Sequence, residues 1–154
     1  MSRLNAILGS VWVYRTARLA LAVLFLVAGV IKLQDPVTFA ITIDAFGLAP
    51  RALAMPLAIV LPVLEIAAAI GLLFDRKGSL LLTAGLTVLF LAVVGYGMWL
   101  GLDIDCGCYG PGDPERGAFS GLRTTFWRDM GMMAMVAYCY WWKRFGRRRA
   151  PQAA

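Results

Sequence analysis

Between Ser79 and Leu102 the chain runs for 24 residues without one charged side chain. A helix of that length rises about 36 Å, enough to cross the roughly 30 Å hydrocarbon layer of a bilayer. Three more apolar stretches accompany it, at about 17–33, 52–74 and 124–142. The first has an uncharged centre from Leu19 to Ile31, short for a span, so Arg18 and Lys32 are expected to snorkel to opposite surfaces. The second contains Pro56, Pro62 and a single acid, Glu65, and the fourth carries Arg128 and Asp129 in its first turns. Composition points the same way: 60% of the 154 residues are hydrophobic and 16% charged, against about 25% charged in soluble domains. Mean hydropathy is +0.73. The predicted fold is an all-α membrane protein, a bundle of four transmembrane helices forming a single domain over residues 1–154. No small-x-small cleavage site follows the first apolar run, so a cleaved signal peptide is not expected.

Basic residues orient the spans. With four crossings, the N-terminus, the 75–78 turn and the C-terminus share one side, which collects ten of the fifteen Lys and Arg residues. The positive-inside rule puts both termini in the cytoplasm, and a disordered basic tail is expected at 146–154. The net charge of +6 thus reads as membrane orientation rather than nucleic-acid binding. Trp12, Trp141 and Trp142 then fall at the inner boundary, with Trp99 and Trp127 at the outer, as aromatic belts require. Two outer connections remain. In the 35–50 segment, Val37, Phe39, Ala40, Ile43 and Phe46 are expected on one face of a short interfacial helix, with Pro36 near its first turn. The 101–123 segment is dense in Gly, Pro and Asp and reads as loop.

The chain has no histidine, which removes His-ligated haem, His-bearing zinc sites and Ser–His triads. Thiols and carboxylates are left. Cys106-Gly107-Cys108 lies in the outer loop, on the side of the membrane where disulfides persist. Extended Cα atoms two residues apart are roughly 6.6–7.2 Å from each other, whereas bridged cysteines need about 4.4–6.8 Å. The loop must bend to close this bond, Gly107 permits the bend, and a bridge so tight is strained and readily reduced. Such a profile suits an exchanging redox pair. An inert disulfide capping the loop, half of a metal site, or two unreactive thiols are the alternatives. Cys139, deep in the fourth span, is expected to be a buried free thiol out of reach of the pair.

Glu65 is the only acid deep inside a span, and an intramembrane carboxyl raises a functional question by default. Counting from the inner turn puts it level with Thr87, roughly 15 Å from the inner end. It is either bundle glue, bonded to Thr87 or a backbone carbonyl, or a proton handler in contact with a cofactor. Met130, Met132, Met133 and Met135 do not share one helix face and read as packing rather than copper ligands. No metal site is expected.

Several elements resemble one family in order. Ala28-Gly29 followed by Lys32-Leu33-Gln34-Asp35-Pro36-Val37-Thr38-Phe39 is similar to an Ala-Gly…Lys-Leu-x-Asp-Pro-x-x-Phe element of the MauE branch of DoxX-like membrane proteins. Pro62-Val63-Leu64-Glu65 resembles that branch's Pro-x-x-Glu, Cys106-Gly107-Cys108-Tyr109-Gly110 its Cys-Gly-Cys-Phe-Gly with Tyr for Phe, and Arg128-Asp129 its Arg-Asp. The resemblance covers about residues 15–142. It implies a four-helix protein of the bacterial inner membrane with the cysteine loop in the periplasm, working with a thioredoxin-like partner of the MauD type. It also implies a role in maturing a disulfide-rich client such as the methylamine dehydrogenase small subunit, and quinone as an electron store. On this reading Cys106 and Cys108 exchange disulfides with the partner, Glu65 moves protons, and Lys32 and Arg128 are candidates for holding the cofactor. The rival functions are a non-catalytic membrane assembly factor and a small transporter using Glu65.

Overall fold

The computed structural model describes residues 10–101 and 122–145. Among the described residues there are five helices: α1 (Val11–Gln34), α2 (Pro36–Ala45), α3 (Arg51–Leu73), α4 (Ser79–Trp99) and α5 (Leu122–Phe145). No strand occurs among the described residues. The four long helices close a ring in the order α1, α3, α4, α5, and α2 lies against α3.

Local chemistry sets the helix ends. Ser10 caps α1 by accepting from the Trp12 amide at 3.3 Å. Pro36 disfavours helical backbone at Asp35, so α1 stops there and the chain turns into α2. Asp35 then caps α2, accepting from the Thr38 amide at 3.0 Å and its hydroxyl at 2.7 Å. These Thr38 bonds, hydroxyl first, hold the Asp35 carboxyl below the usual carboxylate range. At its far end α3 closes with a Schellman turn. The Arg76 amide reaches Gly71 O at 2.9 Å and the Asp75 amide reaches Leu72 O at 3.1 Å. Asp75 takes the left-handed position of that motif, at φ 50°.

α1, α3 and α4 are each long and apolar enough to cross a membrane. Their apolar side chains are not all inside. On α1, Leu21, Ala22 and Phe25 pack inward while Leu19, Val23, Val27 and Val30 stay 41–54% exposed, a stripe that water would penalise and lipid would not. The fourth expected span is a helix of matching length, 24 residues. Polar residues in its end turns, from Arg123 to Asp129 and at Lys143 and Arg144, keep it out of that apolar set.

The core is layered along the bundle. At one end Tyr14, Leu21, Leu72, Val136, Cys139 and Trp142 pack together; Phe25, Ala68, Ala69 and Leu86 form the middle; Phe46, Val94 and Leu122 form the other end. Cys139 is free and fully buried, as expected. Trp142 is not a belt residue. It is 7% exposed and stacks on Tyr14 with ring centroids 4.2 Å apart, because α5 turns that face to α1. Trp12, Trp99 and Trp127 do point outward. The expected basic tail at 146–154 lies outside the described residues.

Two glycines let helices close up. A Cβ on Gly29 would lie 2.8 Å from Ile66 Cγ1 and 3.0 Å from Pro62 O, so α1 meets α3 backbone to backbone. A Cβ on Gly97 would lie 2.5 Å from the Phe46 ring, which seats the end of α2 on α4.

Candidate functional site

The helix α2 does not present its apolar residues to one side as the sequence suggested. Phe39 and Phe46 turn inward with Thr42, but Val37 is 56% exposed and lies on the other face. At 100° per residue, Phe39, Thr42 and Phe46 share a stripe that Val37 cannot join. That stripe roofs a pocket of about 270 Å³. Leu57 and Leu61 of α3 and Leu89, Phe90, Val93 and Val94 of α4 complete its apolar walls, and Lys32 and Asp129 bring the charges to it.

Lys32 does not snorkel outward. It is 3% exposed, and its Nζ lies 2.5 Å from Glu65 Oε1, a carboxylate itself 2% exposed. Two rings flank the ammonium, Phe90 at 4.4 Å and Phe39 at 5.2 Å from centroid to Nζ. The reason is local: α2 covers the end of α1, and a carboxylate within reach compensates a buried ammonium better than an apolar boundary can. Glu65 therefore does not bond Thr87. The Thr87 hydroxyl donates instead to Thr83 O at 2.8 Å within α4. Sequence counting gave the depth of Glu65 but not its angular position, and it is the angle that selects Lys32.

Asp129 completes the cluster. It is 2% exposed, lies about 10 Å of helix rise inside α5 from Leu122, and contacts the Arg128 guanidinium at 3.4 Å. A second cavity of about 20 Å³ is lined by Lys32, Glu65, Phe90, Arg128 and Asp129, room for about one water-sized group. Glu65 Oε2 is fully buried with no hydrogen-bond partner among the described residues. Two acids and two cations thus meet in a dry, apolar surround, formally neutral together and not fully satisfied.

Of the sequence-predicted site residues, the structure brings together Lys32, Glu65 and Arg128. Cys106 and Cys108 lie outside the described residues. The segment that carries them leaves α4 near Gly101 and rejoins the bundle at Leu122, which packs with Phe46 and Val94 at the pocket end. Sequence reasoning quoted Asp129 without giving it a role. The signal was a charge two turns into a helix otherwise buried or lipid-facing.

Comparison with known families decides the relationship. The profile of methylamine utilisation protein MauE matches residues 10–142, which include every helix above except the last turn of α5. The chain belongs to the MauE family. No curated protein and no solved structure matches it. As a MauE family member with three apolar spanning helices, the chain is a multi-pass membrane protein of methylamine utilisation.

Proposed function

We propose that this MauE family chain is a thiol–disulfide exchange protein of the bacterial inner membrane. Its four long helices all cross the bilayer, both termini face the cytoplasm, and Cys106 and Cys108 lie on the periplasmic side. The observation that carries this reading is a Cys-Gly-Cys pair on a segment anchored at the same end of the bundle as a buried, incompletely satisfied acid–base cluster.

The exchange balances without further reactants. The thiolate of one cysteine attacks a disulfide sulfur of a thioredoxin-like partner, and the partner's other sulfur leaves and takes up a proton. The second cysteine then attacks the mixed disulfide, freeing the partner's remaining thiol and closing the Cys106–Cys108 bridge. Two electrons and two protons have moved to the partner, and the same steps run in reverse. In that reverse direction the Cys106–Cys108 bridge oxidises the partner's dithiol and is itself reduced, and the oxidised partner forms disulfides in a periplasmic client, with the methylamine dehydrogenase small subunit as the candidate that the family suggests.

Resetting the pair needs a two-electron carrier, and the family points to quinone. The residues fit one. The pocket is apolar with aromatic walls, and Lys32 and Asp129 bring polar groups to one end of it; Glu65 lies behind Lys32 in the small cavity, its Oε2 without a hydrogen-bond partner among the described residues. When bound there, a quinone would supply two-electron, two-proton chemistry in the membrane. This chain's part is to exclude water from that reaction, to orient the ring against the aromatic walls, and to hold a proton at Glu65 behind Lys32.

A second reading draws on the Lys32–Glu65 pair alone, which also fastens α1 to α3 as a non-catalytic assembly factor would require. Thiol trapping separates the two. In Cys108→Ser, Cys106 has no internal partner to resolve an attack, so a mixed disulfide with the thioredoxin-like protein accumulates on a non-reducing gel. Client disulfides formed at the wild-type level in the double Cys106→Ser/Cys108→Ser protein would end the redox reading.

A further inference from the structure

An ion pair that only ties two helices together needs no cavity beside it. Here Lys32 of the pair lines one, and the pocket's charges limit what enters. Lys32 and Asp129, the two charged residues that line it, sum to zero formal charge, so an anionic head group would face a buried carboxylate with no net positive charge to offset its desolvation. A polyol would meet walls that are hydrocarbon apart from Thr42 and the charged end. A plain hydrocarbon would make no polar contact at the charged end.

What matches is a neutral, flat, apolar ring with an oxygen acceptor at one edge. Phe39, Phe46 and Phe90 supply aromatic walls, and about 270 Å³ suits a fused ring rather than a whole lipid. The ammonium is already held within 2.5 Å of Glu65 and flanked by two rings, so little side-chain freedom remains to be lost on binding.

We infer that Lys32 is the specificity-determining residue of this pocket: seated between Phe39 and Phe90 and neutralised by Glu65, it selects ring carbonyl compounds over apolar rings of the same shape. The inference deepens the redox reading by assigning recognition of the carrier to one side chain, and it rests on that reading for the carrier's chemical class. Binding itself does not depend on the cysteines.

The test uses the full chain in phosphatidylcholine nanodiscs, with menadione and methylnaphthalene as probes that differ in the ring oxygens. Calorimetric titration and the shift in unfolding midpoint are the readouts. A hydrogen bond to a charged donor is worth about 1.5–3 kcal/mol, so menadione is expected to bind about 10- to 150-fold tighter. Lys32→Met/Glu65→Leu removes both charges of the pair, so Glu65 is not left without its partner, and it should bind the two probes equally. Val93→Phe fills the pocket and should weaken both. Equal affinity of the wild type for the two probes overturns the inference, and so does unchanged menadione binding in Val93→Phe. The double Cys106→Ser/Cys108→Ser protein separates the failures. Discrimination retained there without partner trapping in Cys108→Ser means that the thiol reading alone has failed. Partner trapping without discrimination in the wild type means that the Lys32 inference alone has failed.

Discussion

Asp75 and Glu65 meet cations at different depths of the bundle, and the two are built differently. Asp75, in the α3–α4 turn, has a side chain 45% exposed and three partners: Lys143 at 2.8 Å, Arg18 at 3.0 Å and the Tyr14 hydroxyl at 3.1 Å. Glu65 is 2% exposed and has one, Lys32, while its other oxygen has no partner among the described residues. Asp75 is wet and saturated, a latch that pins the turn to α1 and α5. Glu65 is dry and under-satisfied beside a pocket, and such a group is retained at a stability disadvantage that a working site can justify. An acid's value as a functional marker comes from what its environment leaves undone, not from its being charged.

The largest test of that contrast is binary. Reporter fusions after Arg76 and after Phe145 should both read cytoplasmic, which puts the Asp75 end inside and the end that α2 roofs outside. A fusion near Gly112 should read external. A C-terminal fusion that reads external would reverse the assignment of the ends and remove the four-span arrangement.

Breaking the buried pair comes next. Lys32→Met strands a carboxylate in the core and should lower stability by about 3–5 kcal/mol in denaturant unfolding. Lys32→Met/Glu65→Leu should recover most of that loss, since well-packed apolar residues commonly replace a buried ion pair without penalty. A double variant no better than the single one would show that the pair is a net stabiliser, like the Asp75 latch. Glu65→Gln keeps the shape but removes the exchangeable proton and leaves the Lys32 ammonium without its carboxylate, so it should abolish turnover across pH and lower stability in the same direction as Lys32→Met. Full turnover in that variant would remove Glu65 from the mechanism.

Gly29→Ala probes the crossing that carries Glu65 to Lys32. Its Cβ meets Ile66 and the Pro62 carbonyl, so about 1–3 kcal/mol of overpacking is expected, with a shift of α1 away from α3. A wild-type unfolding midpoint would show that the crossing is looser than the backbone approach indicates.

The smallest effect belongs to Asp75→Asn. Burial opposes ionisation of Asp75, but the bond and charge of Lys143, the Tyr14 hydroxyl and the Arg18 charge outweigh it and hold the carboxyl below the usual range. A depressed folded pKa stabilises above the unfolded value and is lost as pH falls through the folded one. The wild type should therefore exceed Asp75→Asn by no more than about 1 kcal/mol, because these partners are partly hydrated. The difference should hold from neutral pH down to about 4 and vanish below it. A difference that grows on acidification would contradict the latch.

Much of this was legible in the chain. The apolar runs located α1, α3, α4 and α5, Asp35-Pro36 marked the break between α1 and α2, and Glu65 stood out as an acid within a span. The sequence makes Lys32 a snorkelling boundary residue because the uncharged centre from Leu19 to Ile31 is short for a span. Nothing local shows that α2 folds back over it. Val37 and Trp142 were misassigned for a related reason: interface rules describe depth, and these two positions are decided by which way a helix is rotated.

Hydrophobic run length, proline and cap chemistry are one-dimensional, so the sequence alone determined the number of long helices, their ends and the presence of an acid in the membrane. Pairing is not one-dimensional. Lys32 and Glu65 are 33 residues apart, and Asp129 is further still. They meet because Gly29 lets α1 close on α3, because Phe46 docks on Gly97 and holds α2 as a roof, and because α5 is rotated to turn Asp129 inward. Only the tertiary structure decided these angles, since helix rotation is fixed by packing among partners distant in the chain, and it is rotation that makes three separate charges one site.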